Sequence, residues 1–251
     1  MKDKKLKCIL GYATSLDIIS KYLLDKGDTP DLFNIKIVIS GAETLREITR
    51  KNLKKVFGCN VVSRYSNQEN GILSQEPINK KFFALNNASY YFEFLKLNSD
   101  DEAEAGELAR VIVTDIFNYA MPMIRYDTGD LAIVKKDARY GRVIDSIEGR
   151  KSDFIYDTLG NILSPHIVTN NMWNFSKIKQ YQLIQEDKTK YILRLNGAKG
   201  VYKDDDILSL YKSFLGKDAD IVIEYVNGIP LLRSGKFQST ICKYNPIKNK
   251  D

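Results

Sequence analysis

The apolar and polar positions along the chain fall into two textures, one helical and one alternating. Leu6–Leu10 is a short apolar run closed by Gly11 and predicts a strand. Ser15 is placed to cap a helix in which Leu16, Ile19 and Leu23 recur at helical spacing, ending near Gly27 before a turn over Asp28–Pro30. Ile35–Ile39 is apolar and β-branched throughout, as expected of a strand buried on both faces of a parallel sheet. Thr44 and Glu47 have the spacing of a capping box, opening a helix that runs to Phe57 and Gly58. Val61–Tyr65 predicts the next strand, so the region reads as a βαβ unit with a parallel crossover.

Beyond residue 80 the pattern turns to alternation. Tyr90–Leu97 and Glu107–Thr114 predict strands around the acidic turn Asp100–Glu104. Met123–Tyr126 and Leu131–Lys135 flank Thr128-Gly129-Asp130 and predict two more, together a barrel or a distorted antiparallel sheet. A break falls over Arg139–Arg150. Strands are then predicted near Asp153–Tyr156, Tyr181–Gln185, Tyr191–Leu195 and Ile221–Tyr225, with helices near Ile167–Phe175 and Asp205–Leu215. The expected fold class is α/β: a partial nucleotide-binding sheet with a β-rich extension over residues 1–148, then a small α+β domain over 149–251.

Composition adds few constraints. The 251 residues are 43% hydrophobic and 28% charged, which suits an ordinary soluble protein of one large and one small domain. The net charge of +6 suits an anionic ligand such as a nucleotide, and equally a solvated surface. Lysines are scattered without interleaved aromatics, so no nucleic-acid platform is expected. Cys8, Cys59 and Cys242 are far apart and, with the single His166, give no zinc spacing; buried free thiols in a reducing cytoplasm are expected. The apolar run near the start is too short for a membrane span, so no membrane partner is expected.

Five segments carry candidate chemistry. Ser40-Gly41-Ala42-Glu43 follows a strand and precedes a helix, where small residues let a ligand approach the backbone. Tyr65-Ser66-Asn67-Gln68-Glu69 follows the neighbouring strand and offers an aromatic face for a base and a carboxylate for Mg2+ beside phosphate oxygens. Pro122–Asp130 holds Arg125, for phosphate charge or an ion pair with Asp127, and Asp130, able to accept both ribose hydroxyl protons. Gly149–Asp153 combines a hinge position with Arg150, and Arg233–Phe237 places Lys236 on a glycine-containing loop. Each segment alone is also what an ordinary turn, hairpin or charged linker looks like.

In this order and spacing, Gly-Ala-Glu, Tyr-x-x-x-Glu, Arg-Tyr-Asp-Thr-Gly-Asp, Gly-Arg-x-x-Asp and Ser-Gly-Lys-Phe resemble the later core motifs of adenylate-forming, AMP-binding ligases. Met121–Asp130 is similar to the phenylacetate–CoA ligase branch. Tyr65–Glu76 and Asn86–Leu97 look more like the ligase-like proteins of capsular polysaccharide gene clusters. The resemblance implies ATP and Mg2+ as cofactors, with CoA as a further one, and a small carboxylic acid as substrate. An acyl-adenylate forms, then passes to CoA or an amine. It further implies that Gly41, Ala42 and Glu43 line the adenine pocket, Tyr65 stacks on adenine, Ser66 belongs with the cofactor-binding residues, and the Gln68 amide can donate to a phosphate oxygen. Glu69 would hold Mg2+, Asp130 the ribose with help from Arg150, and Lys236 would bridge carboxylate and α-phosphate.

Three departures qualify that picture. Gln68 stands where the family has a hydroxyl residue, and Ser152 where its hinge is usually acidic or lysine. No Ser/Thr/Gly-rich phosphate loop precedes Gly41, as if roughly the first two fifths of a typical member were missing. The chain is therefore expected to be inactive alone and to need a separate N-terminal half, or to form a homo-oligomer. The competing reading is a non-catalytic nucleotide-binding or assembly protein of a polysaccharide pathway.

Overall fold

A computed structural model describes residues 5–230 and 237–244, which divide into two compact units at Ile147 and Glu148. The first unit opens with strand β1 (Cys8–Tyr12), helix α1 (Ala13–Asp25), strand β2 (Ile37–Gly41), helix α2 (Glu47–Phe57) and strand β3 (Asn60–Asn67). β1, β2 and β3 pair in parallel, with Ile9, Val38 and Val61 in register. These three residues face both helices. Leu16 and Leu23 of α1 and Leu53, Val56 and Phe57 of α2 close one core over them. Alternate residues point to the opposite face. There, Cys8, Leu10 and Tyr12 of β1 are exposed, Leu10 by 63%.

Two expected helix starts are corrected. α1 begins at Ala13, directly after the strand, and Ser15 lies inside it; no side chain at the Tyr12 cap position accepts from the helix. The carboxylate of Glu43, 29 residues on, accepts the Thr14 N–H at 2.9 Å instead. α2 begins at Glu47 itself, with an extended Arg46 before it and no capping side chain. The approach to α2 turns through Ala42 (φ 65°) and buries Leu45, which leaves Thr44 outside the helix. The two helices are clamped by buried Asp17, which accepts from Thr49 Oγ1 at 2.5 Å and pairs with Lys21 at 2.8 Å and with Arg46.

The sheet continues antiparallel through β4 (Gly71–Gln75), β5 (Phe83–Leu85), β6 (Tyr90–Leu95), β7 (Leu108–Asp115), β8 (Tyr126–Asp137) and β9 (Gly141–Arg150), in the order β1-β2-β3-β4-β5-β9-β8-β7-β6. It is one distorted sheet. Its second core gathers Tyr65, Leu73, Tyr90, Phe92, Phe94, Val111, Val113 and Ile144. Thr128-Gly129-Asp130 is a bulge within β8, not a hairpin between two strands. Arg110 opposes Leu131 and Ile112 opposes Asp127, so the β8 residues between them have no matching length of β7. Gly129 adopts φ +74°, the left-handed conformation such a bulge needs. Arg139–Arg150, expected as a break, is largely β9. Its Val143 and Ile144 are buried against the rest of the sheet, and this tertiary burial outweighs the local charge.

The second unit carries a short pair, β10 (Ile155–Tyr156) and β11 (Ile162–Leu163), then α3 (Pro165–Met172), β12 (Gln180–Gln185), β13 (Lys190–Asn196), α4 (Asp204–Leu215), β14 (Asp220–Tyr225) and β15 (Thr240–Cys242). Its four-stranded sheet has the order β14-β13-β12-β15. Val168 and Met172 of α3 and Ile207, Tyr211 and Leu215 of α4 pack with Leu183, Tyr191 and Leu193 of that sheet. A Cβ on Gly216 after α4 would stand 2.1 Å from Thr158 Oγ1, so this turn admits only glycine. No helix among the described residues is long and apolar enough to cross a membrane.

Candidate functional site

The carboxyl ends of the parallel strands bring the first two candidate segments to one edge. Gly41 closes β2 and lies in register with Arg64 of β3, one residue before Tyr65. A Cβ built on Gly41 would meet no atom within 4 Å, so space lies open beside that backbone. Ala42 next to it is exposed and held at positive φ, which an L-residue adopts at a cost of about 1 kcal/mol. Glu43 is half-buried, with one carboxylate oxygen engaged by α1.

The third segment reaches the same edge through the bulge in β8. Tyr65 is only 8% exposed and belongs to the second core, and its hydroxyl donates to Asp130 Oδ2 at 2.7 Å. The same hydroxyl lies 3.3 Å from Thr128 Oγ1. Thr128 in turn donates to the Val111 carbonyl at 3.0 Å and accepts from the Asp130 N–H at 3.2 Å. Residues 65 positions apart in sequence thus form one hydrogen-bonded group, with Asp130 at its partly buried end.

Arg110 supports this group from behind, and nothing in the motif pattern pointed to it. It donates to Asp127 at 3.0 Å, to Asp100 at 2.7 Å and to the carbonyls of Lys96 and Ser99. Asp127 then accepts the Gly129 N–H at 2.9 Å, which fixes the bulge. The bond to Asp100, followed by that to Asp127, pushes the Arg110 guanidinium further toward its charged form, against the effect of burial. The visible signal was a lone arginine in the apolar run Leu108–Val113.

Ser66 ends the regular part of β3, and Gln68 and Glu69 form the turn into β4; all three are exposed. Asn67 and Asn70 hold that turn, with the Asn70 N–H donating to Asn67 Oδ1 at 2.8 Å. The Tyr90 hydroxyl donates to the Asn70 carbonyl, anchoring the hairpin on the core. Glu69 therefore sits, exposed, on a hydrogen-bonded turn. A single carboxylate of this kind fits Mg2+, which is usually held by one or two carboxylates together with phosphate oxygens and water.

Arg125 stands apart from this group. Its guanidinium donates to Glu93 at 3.1 Å, and its backbone, at φ 47°, donates to Thr114 Oγ1 at 2.9 Å. The ion pair considered with Asp127 is not formed, because Asp127 is held by Arg110. Arg150 is exposed at the end of β9, in the second unit, followed by a 3-10 turn over Lys151–Asp153. Lys236, with Arg233, Ser234 and Gly235, lies outside the described residues. Phe237 is described, its ring 6.0 Å from that of Tyr181.

Comparisons with known proteins agree with this architecture. Residues 155–243 match the model of the CapK C-terminal domain. Protein CapK of Staphylococcus aureus is 26% identical over 240 residues, which cover 90% of this chain and 50% of that protein. Among solved structures, 2-hydroxyisobutyryl-CoA ligase in the postadenylation state with 2-HIB-AMP superposes with a TM-score of 0.72 at 15% identity, over 96% of this chain and 55% of that one. ATP-bound MatB from Rhodopseudomonas palustris superposes with a TM-score of 0.66 at 17% identity, over 94% and 49%. The anthranilate CoA ligase AuaEII with anthranoyl-AMP gives 0.65 at 15%, over 94% and 49%. The chain spans about half the length of the curated relative it matches. It has the fold of the adenylate-forming CoA ligases, and its C-terminal unit matches the CapK C-terminal domain.

Proposed function

We propose that this chain is the adenosine-binding and lysine-bearing portion of an ATP-dependent ligase that activates a small carboxylic acid. The observation that carries the reading is the Tyr65–Asp130 hydrogen bond at 2.7 Å, beside the open backbone at Gly41. In this reading Gly41 and Ala42 line one side of the adenine, with Glu43 behind them and the Tyr65 ring bordering the base. Asp130 accepts the ribose hydroxyls, and Tyr65 sets where that carboxylate stands. Arg150 assists with the ribose, and Lys236 serves the α-phosphate and the attacking carboxylate.

Ser66 and Gln68 offer donors for phosphate oxygens, and Glu69 would hold Mg2+. The ion supplies charge neutralisation between the phosphates when ATP is bound. The chain's own contribution to the first step is orientation by Asp130 and charge from Lys236, which offsets the negative charge that builds on phosphorus. The acyl group then passes to CoA or to an amine. Arg125 is assigned a structural role, since Glu93 already neutralises it. Residues 1–40 hold no phosphate loop, so these residues by themselves bind AMP but adenylate poorly, and polypeptide that supplies the loop, joined or separate, raises activity. The setting proposed is cytoplasmic.

Calorimetry with AMP tests the site directly. Binding is expected, and Asp130→Ala is expected to weaken it about tenfold or more, the loss of a charge-assisted hydrogen bond. No AMP binding by the unsubstituted chain would overturn the proposal. In a complete ligase containing this portion, Lys236→Ala should abolish pyrophosphate exchange while AMP binding persists. AMP binding without exchange in any complete form favours a nucleotide-binding assembly protein instead.

A further inference from the structure

Asp130 stands on backbone that the strand beside it does not match. Between the paired residues Arg110 and Ile112 of β7 lies Val111 alone, whereas between their partners Leu131 and Asp127 of β8 lie Thr128, Gly129 and Asp130. Such a bulge interrupts the ladder, so its groups are held by something other than strand pairing. Thr128 supplies one hold, through the Val111 carbonyl and the Asp130 N–H. Asp127 supplies another by accepting the Gly129 N–H.

Arg110 spans the bulge from both ends. Its backbone is paired with Leu131 just past it, and its guanidinium donates at 3.0 Å to the Asp127 carboxylate just before it. That contact uses Oδ2 and leaves Oδ1 for the Gly129 N–H. The other donors go to Asp100 and to the carbonyls of Lys96 and Ser99, past the end of β6. A planar guanidinium fixes direction as well as charge, which a lysine ammonium does not.

We propose that Arg110 is a positioning residue that sets this chain's preference for ribose over sugars lacking the vicinal hydroxyls. It acts at one remove. Holding Asp127 on the Gly129 amide keeps the φ +74° turn that presents Asp130 to the Tyr65 hydroxyl. One carboxylate accepts two hydroxyls only over a narrow range of orientations, so loss of the clamp is felt first at the sugar. The inference rests on the adenosine-binding reading and names what sets the sugar selectivity of that site.

Calorimetry on the full chain compares AMP with 2′,3′-dideoxy-AMP, which differ only in the two hydroxyls. The unsubstituted chain is expected to prefer AMP about tenfold or more. Arg110→Met should weaken AMP about tenfold while the dideoxy nucleotide changes by less than about twofold. Asp127→Ala breaks the same link at an exposed position and should give the same loss. The double variant should be no worse than either, because both cut one chain of bonds. Arg110→Lys should fall between, and Asp100→Asn, which leaves the Asp127 bond in place, should keep the preference.

Equal weakening of both nucleotides by Arg110→Met and Asp127→Ala makes the pair merely structural and overturns the proposal. Deuterium exchange at the Gly129 amide, followed without ligand, is expected to quicken about threefold or more in both variants. Unchanged protection there overturns the proposal by itself. AMP binding with a sugar preference that is absent, or indifferent to both substitutions, sinks this inference and leaves the adenosine-binding reading standing. No AMP binding by the unsubstituted chain sinks both.

Discussion

Tyr65 has two jobs in one side chain: its ring fills the second core, and its hydroxyl fixes the Asp130 carboxylate. Tyr65→Phe retains the ring and removes only the tether. The expected outcome is nearly unchanged stability with AMP binding weakened by about tenfold, in line with a hydrogen bond to a charged group. Thermal melting and calorimetry on the same protein check both halves of the statement. Equal losses in both would make the residue merely structural. Motif spacing singled out Tyr65 and Asp130 as candidates but not the bond between them, because residues so far apart meet only through strand order. Arg110 was illegible for a different reason: it holds the bulge rather than belonging to a motif, and its partners Asp100 and Asp127 come from a turn and from β8.

At the scale of elements, the α1–α2 pair depends on Asp17. Burial alone would raise its carboxyl, but Lys21, Thr49 and Arg46 hold it below the ordinary value of 3.8. A group depressed in the folded state stabilises fully above its unfolded value and loses that contribution as pH falls through the folded one. The first unit should therefore lose stability on acidification below about pH 4. Asp17→Asn should be less stable at neutral pH by about 1–2 kcal/mol, with a flatter acid limb in chemical denaturation. Parallel acid limbs for the two proteins would show that Asp17 is not the group responsible. Periodicity alone found α1, α2 and α4 to within a few residues, because each has an apolar stripe. It missed the short strands β4, β5 and β11, whose partners are distant, and it placed both early caps wrongly. The cap of α1 comes from Glu43, a contact across 29 residues that no local pattern records.

For the whole molecule, the first unit holds two separate cores. β3 is the strand, among the described residues, that contributes to both, with Val61 in one and Tyr65 in the other. The division between α/β and β-rich textures in the sequence follows this boundary, while the continuity of the sheet across it comes from pairing that the pattern does not encode. A strand shared by two cores opens only when both give way, so its amides should be the last of the first unit to exchange with deuterium. Exchange of β3 at the rate of β1 would contradict this. On that expectation the residue bonded to Asp130 is carried by the strand of the first unit that opens last, so the carboxylate keeps its position through openings that expose β1.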